Sequence, residues 1–163
     1  MKKRVAAWAA AAAVVAAASL ASDAPKQAGP YDPSLDGWKQ LQGAAQRAAA
    51  ENRTLLVIVG GNWCKWCRIL DGVVHDDAAL KEELAARYEV VHLNYSKENT
   101  NGKAMKRLGH PEELGFPAFV VVSSKLEVLR KEETGQFEHA VDDRLGYDTA
   151  KLLAFLKQWE RAH

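Results

Sequence analysis

A buried-strand pattern that ends at a pair of cysteines is the strongest constraint on this chain. The run "LLVIVG", residues 55–60, is apolar throughout, and the cysteines of "NWCKWC" follow directly. Cys67, Leu70 and Val74 then repeat at helical spacing. A strand that is apolar on both faces is typical of a sheet covered by helices on both sides. The pattern therefore predicts an α/β fold in which both cysteines lie where a strand passes into a helix.

The rest of the chain alternates in the same way. Apolar residues at helical spacing predict helices over residues 38–49, 80–88 and 104–108, and a last one behind Asp148. Asp76 or Asp77 is the expected N-cap of the second of these. The stretches "EVVHLNY", "PAFVVVSS" and "EVLRKEETG" predict strands, the last two as an antiparallel hairpin. We expect a mixed central sheet of about four to five strands with helices on both faces.

The first residues have the layout of an export signal. Residues 1–21 begin with three basic residues and continue as an alanine-rich apolar run, which predicts a signal peptide cleaved after Ala21. Residues 22–36 contain three prolines and predict a flexible leader, and residues 37–163 the folded domain. The protein is therefore expected in the periplasm or outside the cell. An uncleaved signal is the alternative, and it would be the one link to a membrane.

Composition excludes some classes of partner. With 48% hydrophobic residues the chain can fill one core. Removal of residues 1–21 leaves 19 basic against 21 acidic residues, so the formal charge changes from +1 to −2. A nearly neutral domain gives no electrostatic reason to expect binding to nucleic acid or to an anionic membrane.

The two cysteines admit three interpretations: a catalytic dithiol, half of a metal site, or a structural disulfide. Structural zinc needs four ligands, and the five histidines show no paired spacing, so no metal is predicted. A disulfide that closes so short a loop constrains the unfolded chain little. Catalysis fits better, because a helix start stabilises the Cys64 thiolate, Lys65 adds a nearby cation, and Cys67 follows about one turn later. The Cys64–Cys67 disulfide would then be the redox group, without a further cofactor.

At this point the sequence resembles the thioredoxin superfamily, and specifically its exported members. "NWCKWC" after "LLVIV" is similar to the family's W-C-x-x-C site, and "LGFPAFVVV" to its second signature, which contains a cis-proline. The likeness extends over residues 38–159. It implies a thioredoxin-like fold with Cys64 as the exposed nucleophile and Cys67 as the buried resolving thiol. Pro117, preceded by Phe116, would be the cis-proline that faces the pair.

The resemblance also assigns roles around the dithiol. Trp63 would provide an apolar docking surface, although a partly buried core aromatic is the alternative. Trp66 would contact a polypeptide substrate or pack against the loop before Pro117. Many thioredoxins have a buried aspartate six residues before the first cysteine, where this chain has Ile58, and a lysine where it has His92. We therefore consider His92 for proton transfer to or from Cys67, with a buried strand histidine as the alternative.

These observations predict an exported thiol–disulfide oxidoreductase that acts on protein cysteines and is recycled by another redox protein. The lysine and tryptophan between the cysteines match neither the pair found in reducing thioredoxins nor that of strong exported oxidases, and a single cation at Lys65 does not set the potential. Reductase or isomerase activity is the direction that we favour. The competing hypotheses are a thioredoxin-fold chaperone or assembly module without turnover and, less favoured, a metallochaperone.

Overall fold

The computed structural model describes residues 29–141 and 144–159, so the predicted signal peptide and the first half of the predicted leader lie outside the described residues. Within these ranges no helix is long and apolar enough to cross a bilayer. Two short 3₁₀ turns, Pro111–Leu114 and Gly135–Phe137, accompany the regular elements. These elements are α1 (Gly37–Glu51), β1 (Thr54–Gly60), α2 (Lys65–Asp76), α3 (Ala78–Arg87), β2 (Tyr88–Asn94), α4 (Gly102–Arg107), β3 (Ala118–Val122), β4 (Val128–Glu133), β5 (Glu138–Val141), β6 (Arg144–Tyr147) and α5 (Thr149–Trp159).

The main sheet has four strands in the order β2-β1-β3-β4. β1 pairs with β2 in parallel, and β1–β3 and β3–β4 pair antiparallel. The predicted mixed sheet and its terminal hairpin are therefore confirmed. The register sets Ile58 of β1 beside His92 of β2, the two positions at which the sequence departs from the thioredoxin pattern.

Alternate residues of β1 face opposite sides of the sheet, as the strand period of two requires. Leu55, Val57 and Val59 belong to a buried cluster with α1 and α4. Leu56 and Ile58 belong to a second buried cluster with α2, α3 and α5. Both faces are covered, which explains why this strand is apolar at every position.

The small sheet of β5 and β6 was not predicted. Its strands are four residues each, and "EHAV" and "RLGY" lack a regular alternation of apolar and polar residues. The hairpin leads into α5 and places Tyr147 next to α2. Asp148 caps α5 as expected, because its carboxylate accepts a hydrogen bond from the Lys151 backbone N–H at 3.0 Å. Asp77 rather than Asp76 caps α3, with the Leu80 N–H at 2.9 Å.

The folded part begins earlier than the predicted boundary at residue 37. Tyr31, inside the predicted flexible leader, is only 2% exposed. Asn99 holds the same segment from the other side, since its side-chain amide donates to the backbone carbonyls of Pro33 and Leu35 at 2.9 and 3.0 Å. Residues 29–36, which we call the strap, are thus part of the domain. The prolines of this segment predict that it forms neither helix nor strand, but they do not prevent it from packing against the domain.

Candidate active site

Cys64 is the N-cap of α2. Its backbone is extended, and its Sγ accepts a hydrogen bond from the Cys67 backbone N–H at 3.2 Å. A helix begins with N–H groups that have no partner within the helix, and here the sulfur takes the place usually held by a serine or aspartate oxygen. Negative charge on this sulfur is therefore stabilised by the peptide groups of the first turn.

The pKa values of the two cysteines shift in opposite directions. The pKa of Cys64 is lowered to about 7, first by a hydrogen bond from the Cys67 thiol and then by backbone N–H groups of the first turn. The sequence pointed to Lys65 as the nearby cation, whereas in the structure the positive charge of Arg68 helps to lower the Cys64 pKa. The Cys67 pKa is raised far above its usual range, because the Cys67 thiol donates a hydrogen bond to Cys64 Sγ and because it is buried. Near neutral pH Cys64 is therefore the cysteine that ionises, while Cys67 stays a thiol.

The expected exposure of Cys64 is wrong. The residue is 6% exposed and Cys67 is 1% exposed. Trp66 and Phe116 pack around the pair, and the Cys64 thiol can donate to the Phe116 carbonyl oxygen at 3.6 Å. Cys64 remains the more exposed of the two residues, and aromatic rings pack beside it.

The Phe116–Pro117 peptide bond is cis, as the family resemblance predicted. The Phe116 carbonyl lies against Cys64. On the other side, the Thr134 hydroxyl donates to the Pro117 carbonyl at 2.6 Å and is itself buried. Cys64 and Thr134, which are far apart in sequence, thus both contact the Phe116–Pro117 backbone.

Trp63 and Trp66 occupy different environments. Trp63 is 57% exposed, and its Nε1–H donates to the Tyr95 carbonyl at 2.7 Å, which holds the ring at the surface beside Phe116. Trp66 is half-buried, with its ring edge-to-face on Tyr147 at 5.5 Å between centroids. The sequence did not anticipate the Tyr147 contact, since nothing local connects α2 to β6. Lys65 is exposed.

Behind Cys67 lies a cavity of about 210 Å³ between α2, α3 and the sheet. Cys67, Asp71 and His92 line this cavity. Ile58 of β1 lines it too, so an apolar side chain stands where many thioredoxins have a buried aspartate. His92 Nε2 is 3.9 Å from an Asp71 oxygen. The His92 pKa is lowered, mainly by burial, while Asp71 opposes that shift. The imidazole is consequently neutral at physiological pH.

Tyr31 is the site residue that sequence reasoning missed. It forms a buried cluster with Cys64 and Cys67, and its ring is edge-to-face with His92 at 5.2 Å between centroids. The available signal was a lone aromatic between Pro30 and Pro33, which is too weak to place it at the dithiol. Within the described residues, no group of three or more metal-ligating side chains is arranged to hold a metal ion.

Comparison with known proteins agrees with this geometry. A family model described as thioredoxin-like matches residues 37–124, more than half of the chain. The chain belongs to the thioredoxin-like family. Its fold is that of the family, and its dithiol at the end of β1 makes this family member a thiol–disulfide oxidoreductase.

Solved structures extend the comparison. The crystal structure of a disulphide isomerase from Xylella fastidiosa Temecula1 is similar with a TM-score of 0.66 and 27% identity, over 79% of this chain and 95% of that chain. A structure described as DsbH oxidoreductase is similar with a TM-score of 0.48 and 14% identity, over 74% of this chain and 81% of that chain. A search of curated proteins finds no significant match.

Proposed function

We propose that this oxidoreductase exchanges disulfides with exported protein substrates and acts as a reductase or isomerase. The observation that carries the direction is the Cys64 pKa of about 7. Strong oxidants of this fold have nucleophiles with a pKa of about 3.5, whereas reducing thioredoxins have about 7. A strongly stabilised thiolate makes the reduced form stable and the disulfide oxidising. The moderate stabilisation of Cys64 therefore supports reduction or isomerisation.

The proposed reaction transfers two electrons from the dithiol to the substrate. The Cys64 thiolate attacks one sulfur of a substrate disulfide, that S–S bond breaks, and the other substrate sulfur leaves as a thiolate. Cys67 then attacks Cys64 Sγ, loses its proton, and releases the second substrate sulfur. The product is the Cys64–Cys67 disulfide, and a redox partner must return two electrons to it. In isomerase duty the substrate's own thiol performs the second attack, and the dithiol is regenerated.

Substrate contact is proposed at Trp63 and Phe116. The Trp63 ring packs edge-to-face on Phe116, whose carbonyl lies against Cys64. A groove of about 590 Å³ is lined by Trp63, Tyr95 and Lys97. A surface tryptophan that is fixed by a hydrogen bond offers apolar area at little cost in side-chain entropy. An extended polypeptide that reacts at Cys64 could place neighbouring residues on Trp63 and in this groove.

His92 is proposed as the acceptor of the Cys67 proton. Its neutral imidazole and the Cys67 thiol line one cavity, whose volume is enough for several water molecules. Asp71 would stabilise the imidazolium that forms. This arrangement would replace the carboxylate that is missing at Ile58.

Export is proposed from residues 1–21, whose basic start and apolar run fit a cleaved signal. An oxidising compartment outside the cytoplasm would supply disulfide substrates. Expression of the full chain in a bacterium, followed by fractionation and mass determination of the mature N-terminus, tests this directly. A cytoplasmic protein with an intact Met1 would contradict export.

An insulin-reduction assay with a chemical electron donor tests the activity, and Cys64→Ser is the control. We expect turnover in the wild type and none in the variant. The reduction potential of the dithiol decides the direction, and refolding of a protein with scrambled disulfides separates isomerase from reductase duty. A potential near that of strong exported oxidants would contradict the proposed direction, and activity that survives in Cys64→Ser would contradict the dithiol mechanism. No turnover in the wild type would favour a binding module.

A further inference from the structure

We propose that Tyr31, supplied by the strap, belongs to the redox centre and donates a hydrogen bond from its hydroxyl to Cys67 Sγ when that sulfur becomes a thiolate. The strap would then affect the attack of Cys67 on the mixed disulfide, whereas the first attack, by Cys64, would depend on α2. This inference rests on the proposed roles of Cys64 and Cys67.

The first support is the position of the hydroxyl. Tyr31 is buried, and its Oη has no hydrogen-bonded oxygen or nitrogen partner among the described residues. A Cβ on Gly60 would lie 2.5 Å from Cys67 Sγ and 2.8 Å from Tyr31 Oη. The sulfur and the hydroxyl are therefore both close to the Gly60 Cα. A buried hydroxyl without an oxygen or nitrogen acceptor is costly, and Cys67 Sγ is the neighbouring group that can accept from it.

The second support is the way in which the chain holds Tyr31 in place. Asn62 clamps its backbone, because Asn62 Oδ1 accepts from the Tyr31 N–H at 3.2 Å and Asn62 Nδ2 donates to the Tyr31 carbonyl at 2.8 Å. Gly29, with φ of +140°, approaches the Asn62 amide so closely that a Cβ there would lie 2.2 Å from its oxygen. Asn62 is two residues from Cys64, so the active-site loop itself carries the clamp.

The chemistry assigns Tyr31 the role of donor. Burial, followed by the nearby cysteine charges, raises its pKa well above the usual value, so the phenol keeps its proton throughout. When Cys67 attacks Cys64 Sγ, the Cys67 S–H bond breaks, a new S–S bond forms, and the substrate sulfur leaves with the electron pair of the old bond. The released proton goes to another group or to solvent, while the phenol stabilises the charge on Cys67 Sγ until the new bond forms.

Other titratable groups also surround Cys67 and must be held constant in a test. Cys64 lies one turn before it, and Tyr147 of β6 and Arg68 of α2 lie nearby. Across the cavity the remaining groups are Asp71 and His75 of α2, Lys81 of α3 and His92 of β2. Tyr31→Phe leaves all of these in place and removes a single hydroxyl.

Stopped-flow reaction of the reduced protein with an aromatic disulfide that releases a coloured thiolate separates the two cysteines. The first thiolate reports attack by Cys64, and the second reports resolution by Cys67. The assay is run at about pH 8, above the Cys64 pKa of about 7, so that most of Cys64 is ionised in the wild type. In Tyr31→Phe we expect the second phase to slow by about tenfold, as for loss of one hydrogen bond to a charged group, while the first phase stays the same.

Tyr88→Phe is the matched control, because it removes another buried tyrosine hydroxyl, which donates to the Leu156 carbonyl away from the dithiol. It should lower stability and leave both phases unchanged. An unchanged second phase in Tyr31→Phe would overturn the proposal, and so would equal slowing of both phases or the same slowing in Tyr88→Phe. No protein substrate is involved, so failure of the insulin assay would not be confused with these outcomes.

Asn62→Ala provides a second, independent variant. Loss of the clamp should slow the second phase in the same direction and expose the strap to proteolysis near residue 31. Slowing in both variants supports the proposal. Slowing in Asn62→Ala without any change in Tyr31→Phe would overturn it, because the loop alone would then account for the effect.

Discussion

The two cysteines lie within one turn of helix, yet their surroundings are built differently. Cys64 is stabilised by what is adjacent in sequence, namely the N–H groups of the first turn of α2 and the neighbouring thiol. Cys67 is enclosed by residues from distant segments: Tyr31 of the strap, Gly60 at the end of β1 and His92 of β2. A local motif sets the environment of Cys64, the proposed nucleophile, and tertiary packing sets that of Cys67, the proposed resolving thiol. Substitutions around Cys64 should therefore impair the reaction with substrate, and substitutions around Cys67 should slow the release of the mixed disulfide.

The largest expected effect follows from removal of the resolving thiol. In Cys67→Ser, Cys64 still attacks a substrate disulfide, but the mixed disulfide has no internal thiol to release it. Turnover should fall on the order of 100-fold or more, because the neighbouring attack is effectively intramolecular. Non-reducing electrophoresis should show a covalent adduct with a disulfide substrate. Cys64→Ser should show none, and an adduct in that variant would contradict the assignment of the nucleophile.

A smaller effect is expected when the space between strap and dithiol is filled. In Gly60→Ala the new Cβ would meet Cys67 Sγ at 2.5 Å and the Tyr31 hydroxyl at 2.8 Å, so one of them must move. We expect a loss of about 1 to 3 kcal/mol in the free energy of unfolding, together with a slower resolving step. Denaturant unfolding and the stopped-flow assay measure the two effects.

Gly72→Ala is the matched control for that substitution. Gly72 lies within α2, and a Cβ there meets nothing within 4 Å. The variant should gain up to about 1 kcal/mol from helix propensity and resolve substrates at the wild-type rate. If Gly60→Ala behaved in the same way, the tight packing around Cys67 would not be needed for resolution.

A pH-dependent effect is expected from His92. Burial lowers the folded-state pKa of His92 below the usual 6.5, so the imidazole is neutral at physiological pH and becomes protonated only at a more acidic pH. A base that must be neutral makes the resolving step slower as the pH falls through this lowered pKa. His92→Gln should lower the rate near neutral pH by a few-fold and remove this acid-side decline. The pH profile of the second stopped-flow phase measures both.

His110→Asn serves as the control for the titration. His110 is exposed, pairs with Glu112 at 2.9 Å, and has a positive φ that asparagine tolerates. Its profile should match that of the wild type. An unchanged profile in His92→Gln would exclude the proposed proton transfer and leave His92 as a packing residue against Tyr31.

The smallest expected effect is on the Cys64 side, at Trp63. In Trp63→Ala the exposed ring is lost while Cys64 and Cys67 keep their partners, so KM for a polypeptide disulfide should rise several-fold with little change in kcat. Trp63→Phe should retain most of the apolar contact. The rate with a small aromatic disulfide should be the same in all three proteins. A large loss with the small disulfide would mean that Trp63 supports the dithiol itself.

Local patterns determined much of this molecule. The unbroken apolar run of β1 predicted a sheet covered on both faces, and the structure and the family match confirm it. The spacing of Cys64 and Cys67 predicted a dithiol at a helix start, and "GFP" predicted the cis bond at Pro117. Each of these depends on neighbours within one element or on a short motif, which is information that a sequence displays directly.

Tertiary structure alone decided how Cys67 is surrounded. Tyr31 and Asn62 are 31 positions apart, and their hydrogen bonds require the strap to cross the end of β1. The contact of Trp66 with Tyr147 likewise depends on a hairpin whose strands have no clear periodicity. Long-range contacts of single residues leave no repeat in the sequence, because packing of the whole chain selects them. The sequence by itself determined the fold and the position of the dithiol at a helix start, whereas only the tertiary structure, in which the strap packs against Cys67, decided the environment of the proposed resolving thiol.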